Sequence, residues 1–287
     1  MTSTKYIELQ SDRIAYREVG EGRPILLLHS SSASSRVFHL QFESALASRL
    51  RLVAMDFPGH GESSNATAPE RSYSMRGLAQ VVAGFMEALS LRGSVVVGSS
   101  MGGNIALEVA ASGPSSIAGI MLVGSAPVAN DPSRIPDAFV PTDDFGLLFQ
   151  EKLSNEEAAV LARKLVQGSD VWDFVYGDVV RADGRFRRIW GESVMRGELA
   201  DEAGLVGRLD IPLAVVLGEG DRVMNASYLR ALTYANLWRG EVQTVAGAGH
   251  APHIQAPESF NDLLLAFVDE IAPAARLANV PLRHPLP

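Results

Sequence analysis

The sequence predicts an α/β protein, built on a mostly parallel central sheet flanked by helices. Three observations carry that prediction. Short apolar runs recur along the chain, helical periodicity separates them, and one long stretch breaks the alternation with helices alone. Runs that are apolar on both faces belong to strands covered by helices on both sides, and regular strand and helix alternation implies an open sheet with crossover helices.

In chain order, Lys5–Leu9 and Arg13–Val19 are alternating segments parted by Ser11-Asp12, which fits an antiparallel hairpin. Pro24–His29, Leu52–Asp56, Ser94–Gly98, Ile117–Gly124, Leu213–Gly218 and Val242–Ala246 are the apolar strand runs. Leu78, Val82, Phe85 and Leu89 recur as one buried helix face requires. Met101–Ala111 and Glu258–Ala272 also read as helices. From about Pro127 to Arg208 no strand-like run occurs. There Ser154–Glu157 forms a capping box for a helix ending at Gln167, before Gly168, and further helices are expected at Val171–Val180 and Arg185–Arg196. The expected organisation is a sheet-bearing core of residues 1–126 and 209–275, a helical cap insertion at 127–208, and a C-terminal tail at 276–287.

The 287 residues include 47% hydrophobic and 20% charged, proportions of a folded, water-soluble chain. A net charge of -8 argues against nucleic acid as a partner. No cysteine is present, so disulfides, a thiolate nucleophile and Cys-ligated metal are excluded. The N-terminus lacks the apolar stretch of a secretory signal, and no run is long enough to insert in a membrane. Cytoplasmic location is the expectation. Nothing in the sequence fixes the oligomeric state, and no cofactor is implied.

The sharpest motif is Gly98-Ser99-Ser100-Met101-Gly102, a G-x-S-x-G set between a strand and a helix. Small residues at 98 and 102 let the chain reverse tightly and raise the Ser100 hydroxyl as a nucleophile. A serine needs a base, usually a histidine held by a carboxylate. Of six histidines, His250 follows the final strand and precedes the last helix, where this topology places the base. His253 is its rival within HAPH, whereas His29, His39, His60 and His284 read as structural or exposed. The H-x-x-H spacing is without the acidic or histidine companions of a metal site, so no metal is expected. Asp221, closing LGEGD, completes the order Ser, Asp, His, with Glu219 as the alternative; Asp56 reads as a turn acceptor in DFPGHG. Oxyanion donors are expected from the amides of Met101 and, to within a residue, Ser31.

These residues resemble the α/β-hydrolase superfamily across nearly the whole chain: LLLHS, DFPGHGES, GSSMGG, LGEGD and GAGHAPHIQAPESF occur in family order. The family's His-Gly in the oxyanion loop is His29-Ser30 here. A narrower resemblance, in RSYSM (Arg71–Met75), VVRADGRFRRIW (Val179–Trp190) and NLWRGEVQTVAGAGHAP (Asn236–Pro252), is to the metal-independent N-acyl-homoserine lactonases of this fold. It implies a small-molecule ester or lactone substrate cleaved through an acyl-serine, best of all an N-acyl-homoserine lactone. A general carboxylesterase, a carbon–carbon bond hydrolase on the same triad and a ligand receptor with slow turnover remain the alternatives. Dehalogenases and epoxide hydrolases of this fold use Asp where Ser100 stands. Ser30, Trp172, Phe174, Tyr176 and Trp190 are the candidate pocket residues, and Arg185, Arg187 and Arg188 fit either the substrate site or a solvated helix face.

Overall fold

Apolar residues on both sides of successive strands decide the architecture. In β3 (Arg23–Leu28), β5 (Ser94–Ser99) and β7 (Leu213–Gly218), Leu26, Leu28, Val96, Val215 and Leu217 join one core, while Ile25, Leu27, Val95, Val97, Ala214 and Val216 join a second core across the sheet. Each face then needs its own layer of helices. The computed structural model, which describes residues 2–113, 116–166 and 171–278, supplies them. The helices Met75–Ala88 and Met101–Ala111 cover the first face through Leu78, Val82, Phe85 and Ile105; Pro257–Ala278 covers the second through Phe260, Leu264 and Phe267.

The remaining strands are β1 (Lys5–Leu9), β2 (Asp12–Val19), β4 (Leu50–Met55), β6 (Ile117–Val123) and β8 (Gln243–Val245). The eight are ordered β1-β2-β4-β3-β5-β6-β7-β8. β2 pairs antiparallel with β1 and β4, and every other pairing is parallel, with Leu28 opposite Gly98 and Ser99 opposite Val123. The hairpin turns at Gln10 and Ser11, both at positive φ (52° and 76°), one residue earlier than the sequence suggests, and Asp12 belongs to β2. Two consecutive positive φ values match the twist of paired strands.

Between β6 and β7 no strand occurs among the described residues. The chain there forms short 3-10 turns at Ile135–Ala138 and Phe145–Phe149 and helices at Asn155–Val166, Trp172–Arg181, Gly184–Met195 and Glu202–Val206. The capping box is reciprocal: Glu157 N–H donates to Ser154 Oγ (3.2 Å) and Ser154 N–H to Glu157 Oε2 (2.7 Å). The expected stop at Gln167 and Gly168 lies outside the described residues, as do His284 and positions 279–287 of the expected tail. Residues 276–278 of the expected tail continue the last helix, which runs to Ala278 through an alanine-rich AARLA that favours helix.

Candidate active site

β5 ends at Ser99, and a helix begins at Met101. Ser100 sits between them at φ 50°, ψ -121°, a conformation that costs of order 1–3 kcal/mol and persists only where its surroundings enforce it. Enforcement comes from Ser100 N–H donating to Val123 O (2.9 Å) and Gly103 N–H donating to Ser100 O (2.8 Å). A Cβ on Gly98 would lie 2.3 Å from Gly102 O, and one on Gly102 would lie 2.3 Å from Leu28 O. The reversal therefore needs glycine at both positions.

His250 lies in the loop after β8, with its Nδ1 3.2 Å from Asp221 Oδ2 and 3.3 Å from Oδ1. Both side chains are buried. A carboxylate beside Nδ1 keeps the proton on that nitrogen and leaves Nε2 with its lone pair. Asp221 is itself fixed, since Oδ1 accepts from Val223 N–H (2.8 Å) and Met224 N–H (3.2 Å). Burial raises its carboxyl, but His250 and these two amides outweigh burial and hold it below the usual carboxylate range. Glu219 turns away, its Oε2 accepting from Gly247 N–H at 3.3 Å.

The loop after β3 closes the other side. His29, fully buried, donates from Nδ1 to Ser30 O (2.8 Å) and accepts Phe57 N–H at Nε2 (3.0 Å). Asp56 accepts Ser35 N–H at Oδ1 (2.6 Å) and Glu62 N–H at Oδ2 (2.8 Å), so it ties this loop to the turn that follows β4. Ser31 is buried, and its Oγ has no partner among the described residues. Met101 opens its helix, where the first amides have no acceptor within the helix.

Ser31, Ser100, Met101 and His250 line one cavity of about 60 Å³, walled mainly by apolar side chains. Of the five expected pocket residues it holds only Trp190. Ser30, Trp172, Phe174 and Tyr176 lie elsewhere. The buried face of Trp172–Arg181 is Val175, Asp178 and Val179, so its aromatics fall on the flanks. Trp172 stacks on Tyr176 (5.3 Å), and Phe174 packs against His39 and under Arg36. In their place stand Phe139, Phe145 and Phe149, whose rings meet tilted at 4.9 Å and edge to face at 5.5 Å and end on Trp190, stacked at 5.5 Å. Asn104 and Lys164 add polar groups to the wall.

The arginine run divides. Arg185 and Arg188 are partly exposed and pair with Asp183 and with Glu151, Glu192 and Glu70. Arg187 is buried and donates to Gln150 O (2.8 Å), Glu151 O (3.1 Å) and Ser32 Oγ (3.3 Å). His253 turns inward between Phe38 and Phe260, away from Asp221. HAPH therefore does not converge on a metal, and the described residues contain no cluster of three His, Cys, Asp or Glu able to hold one.

Residues 25–263 match the model of a family described as the alpha/beta hydrolase family. Among solved structures, a mutant of the N-acyl homoserine lactonase AidH complexed with N-hexanoyl homoserine lactone is 33% identical with a TM-score of 0.90, over 94% of this chain and 99% of that one. AidH complexed with N-butanoyl homoserine is 32% identical with a TM-score of 0.90, over 98% of this chain and 100% of that one. A pimeloyl-[acyl-carrier protein] methyl ester esterase of Xanthomonas campestris pv. campestris is 28% identical over 87% of this chain and 96% of its own length. The chain spans only 64% of a 27% identical relative from Pseudomonas putida, the dihydrolipoyllysine-residue acetyltransferase component of an acetoin cleaving system, with 86% of this chain aligned.

Proposed function

Since the chain belongs to the α/β hydrolase family, we propose that it is a serine hydrolase that opens the lactone ring of N-acyl-homoserine lactones and so removes such signals. The likeness to AidH over nearly its whole length, at 33% identity, carries this reading. In it Ser100 Oγ attacks the lactone carbonyl and gives its proton to His250 Nε2, while Asp221 holds the imidazole and steadies its charge. The Met101 and Ser31 amides meet the oxyanion. His250 then protonates the departing homoserine hydroxyl, which stays attached through the acyl group, and next takes a proton from water that attacks the acyl-serine. N-acyl-homoserine leaves, and no metal or cofactor takes part.

Residues 127–208 act as the cap under which the acyl tail lies. Each buried methylene contributes about 0.8 kcal/mol, so rates climb with tail length until the cavity is filled. The reaction belongs in the cytoplasm; no described helix is long and apolar enough to cross a membrane. Mass spectrometry of the product tests the reading. It should show substrate plus one water, and acid should reclose the ring. A protein that cleaves aryl esters but no acyl-homoserine lactone is a general carboxylesterase, the reading that the methyl ester esterase relative favours.

A further inference from the structure

Asn104 stands four residues after Ser100, one turn along the helix Met101–Ala111, and lines the same cavity. Ser100 and Asn104 therefore face one space from either side of that first turn. Its amide has a fixed sense. Nδ2 donates one proton to Ala126 O at 2.9 Å and the other to Glu202 Oε2 at 2.7 Å. A backbone carbonyl only accepts, so turning the amide over would set two acceptors against each other. With both Nδ2 protons taken, Oδ1 is the amide's remaining polar atom, an acceptor that has no donor among the described residues.

Glu202 is the second observation. It is fully buried, and Oε2 accepts from Val128 N–H (3.0 Å) as well as from Asn104. Oε1 is buried without a partner. Burial pushes this carboxyl well above its usual range, against the opposing pull of the Val128 and Asn104 donors. Oε2 thus accepts both N–H groups, whatever Oε1 carries. Burying such a group is costly. Acyl transfer makes no use of it. Its contacts clamp Asn104.

We propose, resting on the lactonase reading, that Asn104 Oδ1 accepts the N–H of the substrate's acylamino group, making the site selective for α-acylamino lactones and esters over their α-acyloxy counterparts. In an N-acyl-homoserine lactone that nitrogen sits on the carbon next to the carbonyl attacked by Ser100, so a group one helical turn from the nucleophile meets it. Oxygen in place of N–H would face Oδ1 as a second acceptor, and sites built to hydrogen-bond a substrate group reject analogues that lack it. Glu202 is a positioning residue, acting through Asn104.

The test uses purified full-length protein and two matched pairs: N-hexanoyl homoserine lactone with α-hexanoyloxy-γ-butyrolactone, and N-hexanoylalanine methyl ester with methyl 2-(hexanoyloxy)propanoate. Ring opening and methanol release are the readouts. Wild type should prefer the N–H member of each pair about ten- to a hundred-fold in kcat/KM, the worth of one buried hydrogen bond. Asn104→Leu should bring the ratio close to one, Glu202→Leu should lower it, and Glu202→Gln, which keeps an acceptor at the Oε2 position, should retain it. A wild-type ratio near one in both pairs, or an undiminished ratio in folded Asn104→Leu, overturns the proposal. If thermal melting shows that Asn104→Leu does not fold, the wild-type ratios and the contrast between the two Glu202 variants decide. Lactone opening without N–H preference refutes the role of Asn104 and leaves the lactonase reading standing. Preference in the open-chain pair, with both lactones untouched, does the reverse.

Discussion

Asparagine at position 221 would match aspartate in size and differ by one NH₂ group, and the surroundings dictate where that group goes. Oδ1 receives the Val223 and Met224 amides at 2.8 and 3.2 Å, so the asparagine oxygen must stay there, and the NH₂ must take the Oδ2 position, 3.2 Å from His250 Nδ1. A donor there demands a lone pair on Nδ1, which moves the ring proton to Nε2, the atom that accepts from Ser100 in the proposed mechanism. Asp221→Asn should then fold normally yet lose about 10⁴ in kcat, or roughly 5.5 kcal/mol of transition-state stabilisation, as a wrong-tautomer triad does. The assay is steady-state hydrolysis of a short p-nitrophenyl ester beside far-UV circular dichroism and ¹⁵N chemical shifts of the imidazole. A variant that keeps a tenth of wild-type kcat, or whose neutral imidazole still carries its proton on Nδ1, refutes the reasoning.

Ser100→Ala should lose on the order of 10⁶ in kcat with an unaltered fold, and a serine-directed phosphonate should add to wild type but not to this variant; peptide mass mapping checks both. EDTA should leave turnover unchanged, and a chelator-sensitive rate would contradict the proposed mechanism. His253, buried with both ring nitrogens unpartnered, is held down to about 3, first by burial and then by the charges of His250 and His39. Above the unfolded value near 6.5 neither state carries the proton, and as pH falls from there towards 3 only the unfolded chain takes it up, so the native state should lose up to several kcal/mol. In urea titrations at pH 7 and pH 5, His253→Leu should lose less stability than wild type, and equal losses would show that this ring does not drive the acid response.

The sheet was legible because its strands are apolar on both faces, and Ser100 because strand, glycines and helix coincide within a few residues. Asp221 and His250, far apart in the chain, were each singled out by following a recognisable strand, and the fold brings the two side chains together. The cavity wall was harder to read. Phe139, Phe145 and Phe149 lie in turns too short to show a period, so their common direction emerges only from packing. Trp172, Phe174 and Tyr176 were singled out for being aromatic, although the valines at 175 and 179 mark the inward stripe of that helix. Within HAPH, position after the final strand favours His250 over His253. What separates them is the short helix Pro252–Gln255, which swings His253 towards Phe38 and Phe260.

Arg187 fastens the helix Gly184–Met195 to Ser32, and Asp178 accepts from Ser34 Oγ (2.6 Å) and pairs with Arg36. Two helices from the stretch between β6 and β7 are thus bolted to the same loop that carries Ser31. A change of sequence in that stretch therefore reaches the loop beneath it. A chimera receiving residues 127–208 from a relative would leave Ser32, Ser34 and Arg36 facing strangers, and would disturb the Ser31 side of the cavity even with Ser100, Asp221 and His250 untouched. Grafts intended to change substrate range should carry residues 30–36 along with the helices, as one inherited unit.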